Sequence, residues 1–411
     1  MAATTTTIAK LLKTLYTHEK VQDLVLKDNP AMGLLMKNTD WTGDGTVKVP
    51  VIYGNPMGRS ADIATAATKA GTSATTAESF SVTRIKDYGI AQLSNEVIRA
   101  SKNDEGAFVR ALETEVNGTL NGLKRSIGRD LFRDGWGDIG RSASNSGSTI
   151  TLGTLSDALN FEVGMDIVFS SSQNAAVLRD SGNSLTVSGI DYSTGIITFS
   201  SAVSGIASLG TTDYMFIKGD RQNSATPARL KIAGFASWLP TTTPTSTAFF
   251  GVDRTSNAVR LGGNRLAAVG VPIEEAYIEL ADNICAQGGT PNTVFTNHAT
   301  VTKLRKSLGS KTVWIRTEIE GNAQIGYQGI EIVGPKGPIQ VYADYNCPTG
   351  VSYMLQLDTW ELKSLGAMPM LLDEDGLPVL RVANADLVEM RYGYYGNLIC
   401  HAPGWNGVVT H

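Results

Sequence analysis

The chain has little of what active sites are usually built from. Its 411 residues hold three cysteines and four histidines. Cys285, Cys347 and Cys400 show no paired spacing, so they read as small buried hydrophobes in a reducing compartment and not as a disulfide or metal framework. His18, His298, His401 and His411 are scattered, and none has a partner one helical turn away. No serine sits in a G-x-S-x-G elbow, and acidic residues never cluster as acid–base work would require. Glu274 and Glu275 fall in the first turn of a helix, where the macrodipole explains them. Charge is also sparse. Charged residues make up 18% of the chain and the net charge is −4, against roughly 25% in an average domain. That balance argues against a free-standing nucleic-acid binder, which carries a basic stripe. It remains compatible with a container that surrounds DNA without gripping it. No apolar run reaches the length of a membrane span, and residues 1–16 lack a signal-peptide core, which points to cytoplasmic synthesis.

What is present is glycine (43 residues) and abundant serine and threonine, with 42% apolar residues. This favours a β-rich chain with many turns and an ordinary core, long enough for two to three units. Helical turns are expected between Ile8 and Met36, with Pro30 as a breaker. Thr46 to Tyr53 alternates Val47, Val49, Val51 and Tyr53 on one face, and Pro50 marks this strand as an edge or a bulge. Gly54 to Ala77 has almost no large apolar residues, and strand pattern resumes from Phe80 and Val82 toward Leu93. The pair reads as a long hairpin whose tip cannot bury itself.

Asp104 to Asp134 carries the clearest periodicity. Phe108, Leu112, Val116, Leu120, Leu123, Ile127 and Leu131 form one helical stripe, capped by Ser101 or Asn103 and stopped by Gly135. At 1.5 Å per residue the helix spans roughly 45 Å. Gly106, Gly118, Gly122 and Gly128 each weaken it by about 1 kcal/mol relative to alanine, so packing must hold it, and the glycines admit another backbone nearby. Ser142 to Ser148 reads as a linker. Short strands at Asp166–Ser170, Ser184–Ile190, Gly195–Ser200 and Tyr214–Lys218 then suggest a small inserted barrel or sandwich ending near Arg221 to Thr226. Pro240 to Pro244 is a loop. A helix follows from Pro272 to Gln287, burying Ile273, Ala276, Tyr277, Leu280, Ala281 and Ile284. Thr293–Thr296 is a strand, and Asn297 caps a helix through Leu308. The remainder is mostly β, with Ile330–Val333 and Ile339–Tyr342 flanking a Gly-Pro-Lys-Gly turn at 334–337, then Ser352–Leu357, Val379–Val382 and Leu387–Gly393.

Three motifs imitate chemistry. Gly135-Trp136-Gly137-Asp138-Ile139-Gly140 matches G-x-G-x-x-G, but it follows a helix where a dinucleotide site must follow a strand. Gly54 to Ser60 lacks phosphate-loop spacing and has Arg59 where lysine is needed. Asp373-Glu374-Asp375-Gly376 lacks a twelve-residue calcium loop and reads as a hairpin turn. No catalytic, cofactor or metal residues are assigned, and the chain reads as a building block, not an enzyme.

The order of parts carries a resemblance. Tyr88 to Ser101 (YGIAQLSNEVIRAS), Thr293 to His298 with Lys303 to Lys306, and Asn160 to Met165 resemble segments of tailed-bacteriophage major capsid proteins of the Hong Kong 97 type, a fold shared with encapsulin shells. The resemblance implies an α+β phage-capsid fold with an N-terminal arm (1–45), an extended loop and peripheral strands (46–93), a peripheral domain with the spine helix (94–147), an inserted β domain (148–222), a connection (223–271), an axial domain (272–366) and C-terminal strands (367–411) returning toward the peripheral sheet. It implies self-assembly of hexamers and pentamers into an icosahedral shell around double-stranded DNA contacted non-specifically, with no membrane. A separate scaffolding protein is expected because the arm begins almost at Met1, together with a portal and a decoration protein. The expected location is the virion capsid, assembled in the host cytoplasm. Candidate subunit-contact residues are Lys48, Pro56, Met57, Arg59 and Lys69 on the loop and Arg110, Arg125 and Arg129 on the helix. An encapsulin-like shell is the alternative, with the β insertion as discriminator, and a β-rich binding module is a third reading.

Overall fold

The computed structural model describes residues 29–41, 45–96, 105–308, 314–317, 327–372, 379–383 and 385–411. The expected helical turns before residue 29, the helix caps at Ser101 and Asn103, and the Asp373–Gly376 turn lie outside them. The architecture is the α+β one that the resemblance implies. It is organised around the helix Glu105–Asp130, whose 26 residues span about 39 Å at 1.5 Å each. Leu123 and Ile127 from the helix, with Leu131 just beyond it, are buried. Leu131 and Phe132 continue as a tight turn, and Gly135 follows at φ +82°, where a side chain would be strained.

This helix lies across a six-stranded sheet built on the long strand Leu387–Cys400. Ten residues of that strand pair antiparallel with Ile85–Ser94, from Leu387 opposite Ser94 to Gly396 opposite Ile85. On its other side run Trp360–Ser364, Met370–Leu371 and Leu380–Arg381, and Met36–Asn38 joins Trp360–Ser364 in parallel. The close approach of helix to sheet is made at Gly89, where a Cβ would sit 2.9 Å from Leu123 Cδ1 and Thr119 Cγ2. The strand expected to run unbroken from Phe80 to Leu93 divides at Arg84. Thr76–Thr83 pairs with Thr46–Gly54, while Ile85–Ser94 enters the larger sheet. The division is fixed where Asn397 Nδ2 donates to Thr83 O (2.9 Å) and Arg84 N–H donates to Gly45 O (2.8 Å).

The inserted unit is a closed six-stranded barrel of Asp138–Ser146, Thr149–Leu152, Asp166–Ser170, Leu185–Asp191, Ile196–Phe199 and Tyr214–Ile217. Alternate residues point inward, so that Ile139, Ile150, Leu152, Ile167, Phe169, Leu185, Val187, Ile197, Phe199 and Met215 fill it. The serine-rich stretch read as a linker is therefore strand. Closure requires Tyr214–Ile217 to pair with Asp138–Arg141, and Ser142–Ser146 then continues that strand to pair with the next. Small polar residues are tolerated there because one face of a small barrel strand meets water.

The third unit is a seven-stranded mixed sheet in the order Asn264–Ala267, Gly407–Thr410, Val351–Leu355, Thr293–Thr296, Gly337–Ala343, Tyr327–Gly334 and Trp314–Thr317. Helix Ile273–Ala286 buries Ile273, Ala276, Tyr277, Leu280, Ala281 and Ile284 on it, the face expected from periodicity. Asn297 Oδ1 accepts from Ala299 N–H (3.0 Å) at the start of helix His298–Leu308. The final strand, Gly407–Thr410, enters this sheet and not the one holding Leu387–Cys400. Val408 and Val409 are buried on its opposite faces, in the central core and under the helix, so the strand is interior on both sides. The central core itself is aromatic: Phe235 meets Trp360 (4.9 Å), Phe132 (5.3 Å), Tyr353 (5.7 Å) and Phe295 (6.0 Å), joining both sheets to the end of the long helix. Burying each such ring contributes about 1.5–3 kcal/mol.

The glycines of the long helix differ in what surrounds them. A Cβ on Gly118 or Gly122 would meet open space, whereas one on Gly128 would lie 2.3 Å from Asn29 Oδ1. That oxygen accepts from Asn346 Nδ2 (2.8 Å) and from the Tyr345 hydroxyl (3.3 Å), pinning the first described residues to the helix and to the seven-stranded sheet's loop. Gly128→Ala should therefore cost about 1–3 kcal/mol through the displaced buried hydrogen bonds, while Gly118→Ala should gain about 1 kcal/mol of helix propensity. Chemical denaturation of the two variants would separate them in opposite directions, and equal shifts would contradict the packing described.

Candidate assembly surfaces

The hairpin of Thr46–Gly54 and Thr76–Thr83 is held against the body along its strands, and its tip is not. Val49, Phe80 and Val82 are buried there, and Phe80 packs edge-on against Trp238 (5.1 Å) and Phe249 (6.1 Å). Ser81 N–H donates to Phe250 O (2.8 Å), and Arg260 Nη1 donates to Tyr53 O (2.6 Å). Beyond Tyr53 the arm leaves the body. Its tip is not the irregular loop that composition suggested: Ile63–Thr72 is a ten-residue helix. Asp62 caps it by accepting from Thr65 N–H (2.8 Å), and alanine-rich sequence has high helix propensity. Met57 N–H donates to Ser73 Oγ (2.7 Å), which ties the helix back to the arm, and Gly58 lies so close to Ala70 that a Cβ would approach it to 2.8 Å. No residue of this helix is buried, and Ile52 (67%), Met57 (70%) and Ile63 (86%) are exposed large apolar side chains.

The candidate contact residues separate into two groups. Pro56, Met57, Arg59 and Lys69 come together at the tip, where Lys69 Nζ reaches Arg59 O (3.5 Å), and all four are exposed. Lys48 is exposed lower on the same arm. The helix arginines behave differently. Arg125 pairs with Glu162 of the barrel. Arg129 is 4% exposed and pairs with Asp130 at 2.9 Å. Both charges are engaged within the chain, and the deeply buried Arg129 guanidinium requires the carboxylate beside it. Arg110 lies in the helix, and its side chain is outside the described residues.

Periodicity gave no hint of two further surfaces. Ile63 could have been found from the Asp62 cap followed by an alanine run. The second surface is a groove of about 400 Å³ on the six-stranded sheet, lined by Tyr88, Ile90, Leu372, Leu380, Arg391 and Tyr395. Tyr88 and Tyr395 meet edge-on at 6.0 Å. Only strand pairing between residues some 300 positions apart assembles it, so no local signal exists.

Two arrangements resemble catalytic pairs. Ser352 Oγ lies 2.8 Å from His411 Nε2, but Ser352 is 1% exposed and also bonded to Tyr277 and Thr296, and His411 Nδ1 has no hydrogen-bond partner to orient it. Burial holds His411 down to about 4, so the ring is neutral at pH 7. His401 Nε2 meets Glu361 Oε2 at 3.0 Å with no nucleophile joined to the pair. Among the described residues no group of three His, Cys, Asp or Glu side chains is placed to hold a metal ion, and no helix is long and apolar enough to cross a membrane.

No curated protein matches the chain. Similar solved structures include the capsid asymmetric unit of cyanophage A-1(L), with 12% identity, 97% of each chain covered and a TM-score of 0.49. Mycobacterium phage Ogopogo gives 11% identity, 100% and 99% coverage and a TM-score of 0.43. The holo-SrpI encapsulin complex from Synechococcus elongatus gives 7%, 97% and 93%, and 0.48. Residues 210–374 match the model of the family described as SU10 major capsid protein. The matched stretch runs from the last barrel strand through most of the seven-stranded sheet to the short strand Met370–Leu371, and over that stretch the chain is similar to phage major capsid proteins.

Proposed function

We propose that this capsid subunit assembles as hexamers and pentamers into an icosahedral head shell that encloses double-stranded DNA. The reading is carried by one observation: an arm that leaves the body, ends in a helix with no buried residue, and exposes Ile52, Met57 and Ile63 along its length. A lone chain gains nothing from such an arm. Covering Ile52, Met57 and Ile63 on a neighbour would recover on the order of 1.5–3 kcal/mol per side chain, and repetition around a closed shell multiplies that modest contact. Pro56, Met57, Arg59 and Lys69 at the tip, with Lys48 below, are the residues we assign to it. In this reading residues 46–93 are the extended loop and peripheral strands, 94–137 the spine region, 138–222 the insertion, whose first strand Asp138–Ser146 begins ten residues before the boundary expected from sequence, and 272–366 the bulk of the axial domain. Assembly takes place in the host cytoplasm on a separate scaffolding protein, with a portal and decoration proteins as later partners, and the subunit performs no catalysis. The closed barrel favours a phage shell over an encapsulin-like one, and the mild net charge of −4 suits a wall that faces DNA without binding it tightly.

Deleting Gly58 to Ala74 should leave a soluble, folded chain that forms no shells by negative-stain microscopy, and intact particles from that deletion would overturn the assignment of the arm. Particles of the full chain should contain DNA, and protein cargo in its place would favour the encapsulin-like reading. Asp62→Ala should weaken the tip helix by about 1 kcal/mol. Amide exchange of Thr65 to Ser73 should rise several-fold in the unassembled subunit while the core stays protected.

A further inference from the structure

A buried joint beneath the barrel sets three carboxylates against two cations. It gathers five elements. Strand Ile85–Ser94 brings Asp87, the long helix brings Ser126, Arg129 and Asp130, the chain leaving the barrel brings Asp220, the return segment brings Lys231, and strand Leu387–Cys400 brings Tyr394. Lys231 Nζ is shared between Asp87 (2.7 Å) and Asp220 (3.0 Å). Arg129 serves Asp130 (2.9 Å). Ser126 Oγ lies 3.3 Å from Asp87 Oδ2 and 3.4 Å from Asp130 Oδ2, and a hydroxyl with a single hydrogen can donate to only one of them. Three carboxylates thus face two cations. The Tyr394 hydroxyl is fully buried in the field of the same three carboxylates and has no hydrogen-bond partner. A buried network left partly satisfied is costly, and one added proton supplies both the missing donor and the missing positive charge.

We propose that this joint is a proton-operated latch: uptake of one proton by the Asp87–Asp130–Asp220 group tightens the seat of the barrel neck on the long helix, and loss of that proton loosens it. Solvent reaches the joint through a groove of about 360 Å³ lined by Ile85, Asp87, Gly219, Asp220, Arg229 and Lys231. Asp220 is the acceptor. Burial raises its carboxyl to about 6, with Asp87 adding to the rise and Lys231 and Arg129 opposing it. The folded chain therefore holds this proton to higher pH than the unfolded chain, whose carboxyl titrates near 3.8. The stabilisation is complete below about pH 4 and is lost as pH rises through about 6.

The test is local, because His411, held down to about 4, adds an opposite trend to global stability. Hydrogen exchange of the intact subunit would be followed at the amides of Asp220 and Lys231, which donate to Ile217 O (3.0 Å) and Gly135 O (3.3 Å). Corrected for intrinsic exchange, their protection should be roughly tenfold higher at pH 5 than at pH 7.5. Asp220→Asn, which keeps the shape and removes the charge, should hold the high protection at both pH values. Equal protection of the wild-type chain at the two pH values, or an unchanged pH dependence in Asp220→Asn, would overturn the latch.

Discussion

The charge buried at the end of the long helix is the constraint on which the rest of the structure depends. Arg129, Asp130 and Arg133 fall within five residues, and each side chain is largely or wholly removed from water. Breaking such a buried pair typically costs about 3–5 kcal/mol, so the surrounding elements are obliged to deliver partners. Arg133 takes Asp157 at 2.5 Å and Asp138 at 3.7 Å, both from the barrel. These partners raise the Arg133 guanidinium above its ordinary range, although burial alone would lower it. The barrel is consequently bolted to the helix by charge at three of its own residues, Asp138, Asp157 and Glu162, and is not a bead on a tether. Ser156 adds a hydroxyl contact to Thr349 (2.9 Å), so the barrel also touches the loop of the seven-stranded sheet.

The opposite design governs the arm. Its base is held by rings: Phe80 against Trp238 and Phe249, with the guanidinium of Arg254 (4.4 Å) and that of Arg229 (5.2 Å) over the Phe249 ring. Apolar contact and cation–π attraction hold a hairpin firmly without directing its far end. The tip then stands in water with its own cap and its own hydrogen bonds but no core. A rigid root and a self-structured, unburied tip suit a part whose binding partner is another subunit, because little ordering entropy remains to be lost on contact.

Much of this was legible along the chain, for reasons that differ by element. The stripe from Val116 to Leu131 and the buried face of Ile273–Ala286 could be read because a helix repeats every 3.6 residues whatever surrounds it. Thr293–Thr296 and the Asn297 cap were equally local. The tip helix was hidden because Ile63–Thr72 lacks an apolar stripe, its only signals being alanine content and Asp62. Ser142–Ser146 was mistaken for linker because composition reports solvent exposure and not pairing, and a strand whose outer face meets water looks like a loop. The ion pairs that Arg125 and Arg129 make within the chain were not legible because sequence shows a charge but not the carboxylate folded against it.

What the sequence by itself determined is everything with a short period or a local cap: the long helix, the helix–strand–helix of the third unit, the alternating barrel strands and the unburiable character of residues 54–77. Tertiary structure alone decided what depends on distant partners. It split the strand at Arg84, sent Gly407–Thr410 into the seven-stranded sheet, and brought Asp87, Asp130, Asp220 and Lys231 to one buried joint. The physical reason is that propensity and periodicity act between neighbours in sequence, whereas burial, charge pairing and sheet register are settled between residues that meet only after the chain has closed on itself.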